Sequence, residues 1–193
     1  MAAKREQEFE YRGVNHVALV CKDMARTVKF YRDILGMPLV KTLDLPRGMG
    51  QHFFFDIGKG DSLAFFWFPD SPDGQPGVSH PEALPGAGSF VTANGSMNHL
   101  AFDVPAEKFE EYHAKLKAKG VDVTEIRNHD NSPSQISPQM SKDVYIRSFY
   151  FNDPDGVCLE FACWTGALKP SDVAHEANMA DGEKAKGVVF ADA

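Results

Sequence analysis

The sequence has no apolar run approaching the roughly 20 residues that a membrane span needs, so the expectation is a protein that does not enter a membrane. It also lacks a basic stripe. Lys and Arg number 20 against 27 Asp and Glu, a formal charge of -7, which argues against a nucleic-acid partner held through phosphates. Cysteine is scarce and odd in number: Cys21, Cys158 and Cys163, two of them inside apolar stretches. No disulfide framework follows from that, and a reducing, cytoplasmic setting suits it better. The first ten residues, Met1 to Glu10, are charged and lack the apolar core of a signal peptide. What remains is a chain of 193 residues, 43% hydrophobic and 24% charged. That is long enough for one domain or a tight pair of small modules with a proper core and no disulfide staples. The expected partner is a small molecule or another copy of the chain. Phenylalanine is abundant, at 15 residues, and composition leaves open whether the rings fill a core or line an aromatic pocket.

An internal repeat organises the chain. Asn15-His16-Val17-Ala18-Leu19 and Asn98-His99-Leu100-Ala101-Phe102 share the pattern Asn-His-aliphatic-Ala-hydrophobe. After the first copy, Asp23 can cap a helix whose apolar positions Val28, Tyr31, Ile34 and Leu35 run at helical spacing until Gly36. After the second, Pro105 opens a helix with Phe109, Tyr112 and Leu116 on one face until Gly120. Short strands are expected downstream of the first helix at Leu39–Leu43, His52–Ile57 and Ser62–Phe68, with Gly58-Lys59-Gly60-Asp61 as a turn. Their counterparts in the second unit are Val121–Glu125, Tyr145–Asn152 and Val157–Cys163. Each unit then reads β-α-β-β-β. The division expected is an N-terminal extension over 1–12, a first module over 13–68, a Pro/Gly-rich linker over 69–96, a second module over 97–165 and a loosely packed tail over 166–193. Arg127 to Lys142 reads as a long loop.

Asn152-Asp153-Pro154-Asp155-Gly156-Val157 predicts a type I turn followed by a left-handed Gly bulge, the usual three-residue hairpin loop. That loop pairs Asp153 with Val157, and counting back along both strands sets Tyr150 opposite Glu160 on the same sheet face. Leu159 and Phe161 flank Glu160, so its carboxylate is expected to be at least partly buried and to need a partner that Tyr150 alone does not supply. A single histidine on an apolar strand is more often a hydrogen-bonded core residue than a ligand. Two at equivalent strand positions in paired units, together with one Glu, form the 2-His-1-carboxylate set that holds a divalent metal and leaves positions open for substrate. Placed by a pseudo-twofold axis, the two first strands would meet and bring His16 close to His99.

These motifs resemble the vicinal oxygen chelate superfamily, which includes glyoxalase I, methylmalonyl-CoA epimerase, fosfomycin-resistance proteins and extradiol dioxygenases. The resemblance runs from about Gly13 to Thr165. It is carried by Asn-His16-Val-Ala, Phe30-Tyr31…Leu35-Gly36, Asn-His99-Leu-Ala-Phe and the run from Phe151 through Glu160 to Phe161. It implies an α+β fold in which two βαβββ modules form a cupped, partly closed mixed sheet around a metal site held by His16, His99 and Glu160. Ser148-Phe149-Tyr150 and Glu160-Phe-Ala-Cys-Trp164 are most similar to the final hairpin of the extradiol ring-cleaving dioxygenases, where a Tyr ten residues before the Glu ligand contacts the substrate hydroxyl. That branch implies Fe(II), O2 and a small catechol-like aromatic substrate, although Mn, Co, Ni and Zn accept the same ligand types. Two histidines of that branch are replaced here, an acid-base one by the Asp61-Ser62-Leu63 segment and another, nine residues before the Tyr, by Ser141. His52 is the candidate that would supply the missing acid-base group beside Tyr150. Isomerase-type relatives take a further Glu or Gln ligand from the strand that reads Ser62-Leu63-Ala64-Phe65-Phe66-Trp67-Phe68, which offers none. A fosfomycin-type thiol transferase wants clustered cations for its phosphonate, and Arg147 is the one cation expected near the site. A metal-free small-molecule binder is the non-enzymatic alternative. Sheets with open edges in this architecture commonly pair, so a homodimer is expected.

Overall fold

A computed structural model describes residues 8–172 and 175–185. The start of the extension and the end of the expected tail lie outside the described residues. The chain builds two mixed sheets. The first contains β1 (His16–Val20), β2 (Leu39–Asp44), β3 (Gln51–Gly58) and β4 (Asp61–Trp67), in the order β1-β4-β3-β2. The second contains β5 (Leu100–Asp103), β6 (Arg127–His129), β7 (Ile136–Ser137), β8 (Ile146–Asn152) and β9 (Cys158–Trp164), in the order β5-β9-β8-β6-β7. In both sheets the first strand of the repeat runs parallel to the last and occupies an edge. The α+β class and the repeated modules are as the sequence implies. Each module contributes one mixed sheet, of four strands in the first and five in the second.

Asp23 caps α1 (Met24–Val28), its carboxylate accepting from Arg26 N at 3.0 Å. The helix widens into a π-helical turn over Lys29–Ile34 and closes at Gly36, whose φ of 78° suits a residue without a Cβ. The wide turn seats the fully buried Tyr31 ring on Phe65 and Phe55, with centroids 4.7 and 5.6 Å away. In the second module a single 3₁₀ turn over Ala106–Lys108 leads into α2 (Phe109–Ala118). There Phe109 packs on Phe149, and Phe149 on Phe161. Residues of both modules join in one core. Phenylalanine fills the core at Phe55, Phe65, Phe109, Phe149 and Phe151, which are fully buried, while Phe54, Phe66, Phe68 and Phe90 lie outside that core.

Two strand expectations shift. Val121–Glu125 is not a strand. It touches the edge of β8 through a single bridge, Val123 to Phe151, and the Thr124 hydroxyl accepts from Tyr150 N in place of a ladder carbonyl. Pairing resumes a few residues later, so the expected loop Arg127–Lys142 instead holds β6 and β7.

Two contacts between the modules mirror each other. The end of β1 meets the β8–β9 hairpin, where Lys22 N donates to Asp155 at 3.1 Å and Arg26 pairs with the same carboxylate. The end of β5 meets the β3–β4 hairpin, with Lys59 Nζ 3.6 Å from Asp103. Each hairpin tip adjoins the start of its own module's first strand, because His16 pairs with Ser62 and Leu100 with Leu159. The pseudo-twofold therefore sets the end of one first strand near the start of the other.

Candidate metal centre

The second sheet assembles most of the expected site. Tyr150 stands directly opposite Glu160, as the hairpin count requires, and the turn closes with Asp153 N donating to Val157 O at 3.0 Å. Parallel pairing sets Ala101 beside Glu160, so His99, two residues before Ala101, shares that face. His99 Nε2 lies 3.0 Å from Glu160 Oε2. Glu160 is 5% exposed and Tyr150 7%. Burial pushes the Tyr150 phenol up to about 12, with the Glu160 carboxylate adding to the shift. The phenol therefore keeps its proton at neutral pH.

Asn98 orients the histidine. Its amide nitrogen donates to Phe90 O at 2.8 Å, which leaves its oxygen to accept from His99 Nδ1 at 2.9 Å. In the neutral imidazole His99 then turns its Nε2 lone pair to the carboxylate, and two such electron-rich groups side by side are a pair that a shared divalent cation would bridge. The donor set fits a divalent metal on this ground. Asn15 repeats the arrangement, its oxygen 2.7 Å from His16 Nδ1. The linker contributes Phe90, whose ring lies 5.7 Å from His99 and 6.2 Å from Tyr150.

His16 and His52 are placed elsewhere. β1 pairs with β4 and β5 with β9, so the first strands do not join as the pseudo-twofold suggested. The reversed contact between modules sets His16 and His99 at opposite ends of two strands, about 15 Å apart at roughly 3.3 Å per residue. Among the described residues no group of three or more His, Cys, Asp or Glu side chains is close enough to hold a metal. His16 shares the open face of the first sheet with Phe54, at 5.9 Å, and His52. The His52 ring is sandwiched between Phe54 at 4.3 Å and Phe66 at 3.6 Å, and its buried Nε2 has no hydrogen-bond partner. Burial lowers its pKa, with His16 a second cause.

Arg147 does not face the site. It alternates with Ser148 and Tyr150 along β8, lies over the Phe109 ring and donates to Glu110 at 2.6 Å and Asn128 at 3.0 Å. The cation on the Tyr150 face is Arg127, opposite Ser148, and it donates to Pro85 O. Ser148 and His129 were also missed by sequence reasoning, because they lie in or against the segment read as a loop. Asn15 and Asn98 were visible in the repeat, where an Asn precedes each His. The three cysteines are free and buried, with Cys158 pushed up to about 11 by burial, which makes it a poor nucleophile. Among the described residues no helix is long and apolar enough to cross a membrane.

Comparison with known proteins agrees with this architecture. The chain is 25% identical over 158 residues to the metallothiol transferase FosB of Staphylococcus epidermidis, covering 82% of this chain and 86% of that one. It is 25% identical over 117 residues to MhqE of Bacillus subtilis (strain 168), whose name provisionally describes a ring-cleaving dioxygenase. That match covers 58% of this chain and 33% of the relative. The fold matches a crystal structure of the fosfomycin resistance protein FosX from Listeria monocytogenes complexed with Mn(II) and sulfate. The TM-score is 0.51 at 20% identity, over 82% of this chain and 96% of that one. Residues 13–161 match the family profile itself, and the chain belongs to the Glyoxalase/Bleomycin resistance protein/Dioxygenase superfamily.

Proposed function

We propose that the protein is a metal-dependent enzyme of this superfamily whose centre is held by His99 and Glu160 and completed by His16 of the partner subunit in a homodimer. The observation that carries it is the 3.0 Å approach of His99 Nε2 to the buried Glu160, with His99 Nδ1 already engaged by Asn98. Two further features support a second copy as the source of His16. β1 and β5 are both edge strands with unpaired backbone groups, and His16, Ala18, Val20 and Ala101 are exposed along them. Self-association through these edges would cover both.

The favoured chemistry is extradiol-type oxygenation of a catechol-like aromatic with Fe(II) and O2. When bound, the ion supplies the Lewis-acid and redox chemistry of that reaction. The chain's own residues orient and shield the substrate. Tyr150, protonated at neutral pH, offers a hydroxyl for hydrogen bonding to a substrate oxygen. Phe90 covers the His99–Tyr150 pair and excludes water from that side. The face that brings His16 also carries His52, Phe54, Phe66 and Phe68, a wall suited to a flat apolar ring. A phosphonate is less suited, since Arg147 is turned to Glu110 and Arg127 to Pro85.

Anaerobic loading with Fe(II) followed by O2-uptake assays across a panel of catechols tests the reading. Uptake with at least one of them is expected. Silence with all, alongside turnover of a glutathione hemithioacetal, would replace it with the isomerase reading. Silence with both, with tight binding of an aromatic, would replace it with the metal-free binder.

A further inference from the structure

Behind Tyr150 a hydrogen-bonded chain leads away from the metal centre. Ser148, fully buried and two residues before Tyr150 on β8, lies on the same face. Its hydroxyl donates to the Tyr150 hydroxyl at 3.4 Å. His129 Nε2 lies 2.7 Å from the Ser148 oxygen. The imidazole and the serine hydroxyl share one hydrogen bond, whose donor is set by the histidine tautomer. Tyr150 in turn is the cross-strand partner of Glu160 on the same face of the sheet, and the carboxylate is, after burial, one cause of the raised phenol pKa. The hydrogen-bonded chain thus runs from His129 through Ser148 to Tyr150, which stands directly across the strand pair from Glu160. Each link sits in a half-buried or buried setting, where such chains are mutually reinforcing.

We propose that His129 is a positioning residue for the metal centre, acting through Ser148 and Tyr150 to hold the Glu160 carboxylate in its ligating orientation. This rests on the reading of His99 and Glu160 as metal ligands. Groups behind a ligand typically account for about 10- to 100-fold in metal affinity, and His129, two links behind Tyr150, is assigned the lower end of that range.

The probe is Mn(II) alone, with free ion followed by electron paramagnetic resonance. Wild type is compared with Glu160→Gln, His129→Leu, Ser148→Ala, the double variant and His129→Gln. Glu160→Gln is expected to abolish tight uptake. His129→Leu and Ser148→Ala should each weaken binding by about 10-fold, and the double variant no further, because either change breaks the same chain. His129→Gln keeps a donor at the same reach and should restore most of the affinity. That rescue separates positioning from a loss of folding. Additive losses, or affinities within about twofold of wild type in both single variants, would overturn the chain while leaving the metal site standing. Failure of wild type to take up Mn(II) would overturn both.

Discussion

Asp153 carries a cost built into the junction between modules, and its removal makes a quantitative test. The side chain is 6% exposed at the tip of the β8–β9 hairpin. Its Oδ1 accepts from Asp155 N and Val157 N, both at 2.8 Å, and its Oδ2 accepts from the hydroxyl of Tyr31 at 3.0 Å. Despite these donors, burial pushes its pKa up from 3.8 to about 6. A carboxyl whose pKa rises on folding contributes stability that is fully present below its unfolded value and is lost as pH climbs through its folded value. A rise of that size corresponds to about 3 kcal/mol, of which about 2 kcal/mol falls between roughly pH 4.5 and 7.5. Asp153→Asn keeps the oxygen that accepts both backbone amides and does not titrate. Its stability relative to wild type should rise by about 2 kcal/mol across that window. Urea unfolding of the metal-free proteins at three pH values within it measures the difference, and other carboxylates cancel in the comparison. Curves that stay parallel would refute the reasoning, and so would a gap that widens towards acid.

Other consequences follow from the same contacts. Asn98→Ala removes the group that orients His99 and pins Phe90, so metal affinity should fall about 10-fold with little change in melting temperature. Tyr150→Phe breaks the hydrogen-bonded chain at its last member, so Mn(II) affinity should fall by at least the roughly 10-fold assigned to Ser148→Ala, and kcat/KM for any catechol that is turned over should drop as well. Arg147→Ala should leave metal content unchanged and destabilise the fold by about 1–2 kcal/mol in urea, because its guanidinium packs on Phe109 and not in the site.

The register of the final hairpin was legible because Asp-Pro-Asp-Gly admits few loop geometries, and one such loop determines every cross-strand pair behind it, Tyr150 with Glu160 included. The repeat of Asn-His-aliphatic-Ala likewise located both first strands. Legibility stopped where an answer depends on how two modules face each other. A twofold axis was foreseeable, but not that it sets the end of β1 against the start of β5, a matter decided by Lys22, Arg26 and Asp155 far along the chain. Arg147 was misplaced for a smaller reason: strand alternation points it at α2, where Glu110 and Phe109 receive it. Arg127–His129 escaped notice because three polar residues between loop-like stretches carry no period-two signal, so the imidazole behind Ser148 stayed hidden.

The central claim is that one ion is shared between His99 and Glu160 of one chain and His16 of the partner subunit. Mixing His16→Ala and Glu160→Ala chains, each unable to bind metal alone, under conditions that exchange subunits tests it most directly. Statistical pairing gives heterodimers with one intact site, so metal content should recover to about one quarter of an equivalent per chain. Recovery of no metal in the mixture, with both variants shown to exchange subunits, would contradict the shared centre.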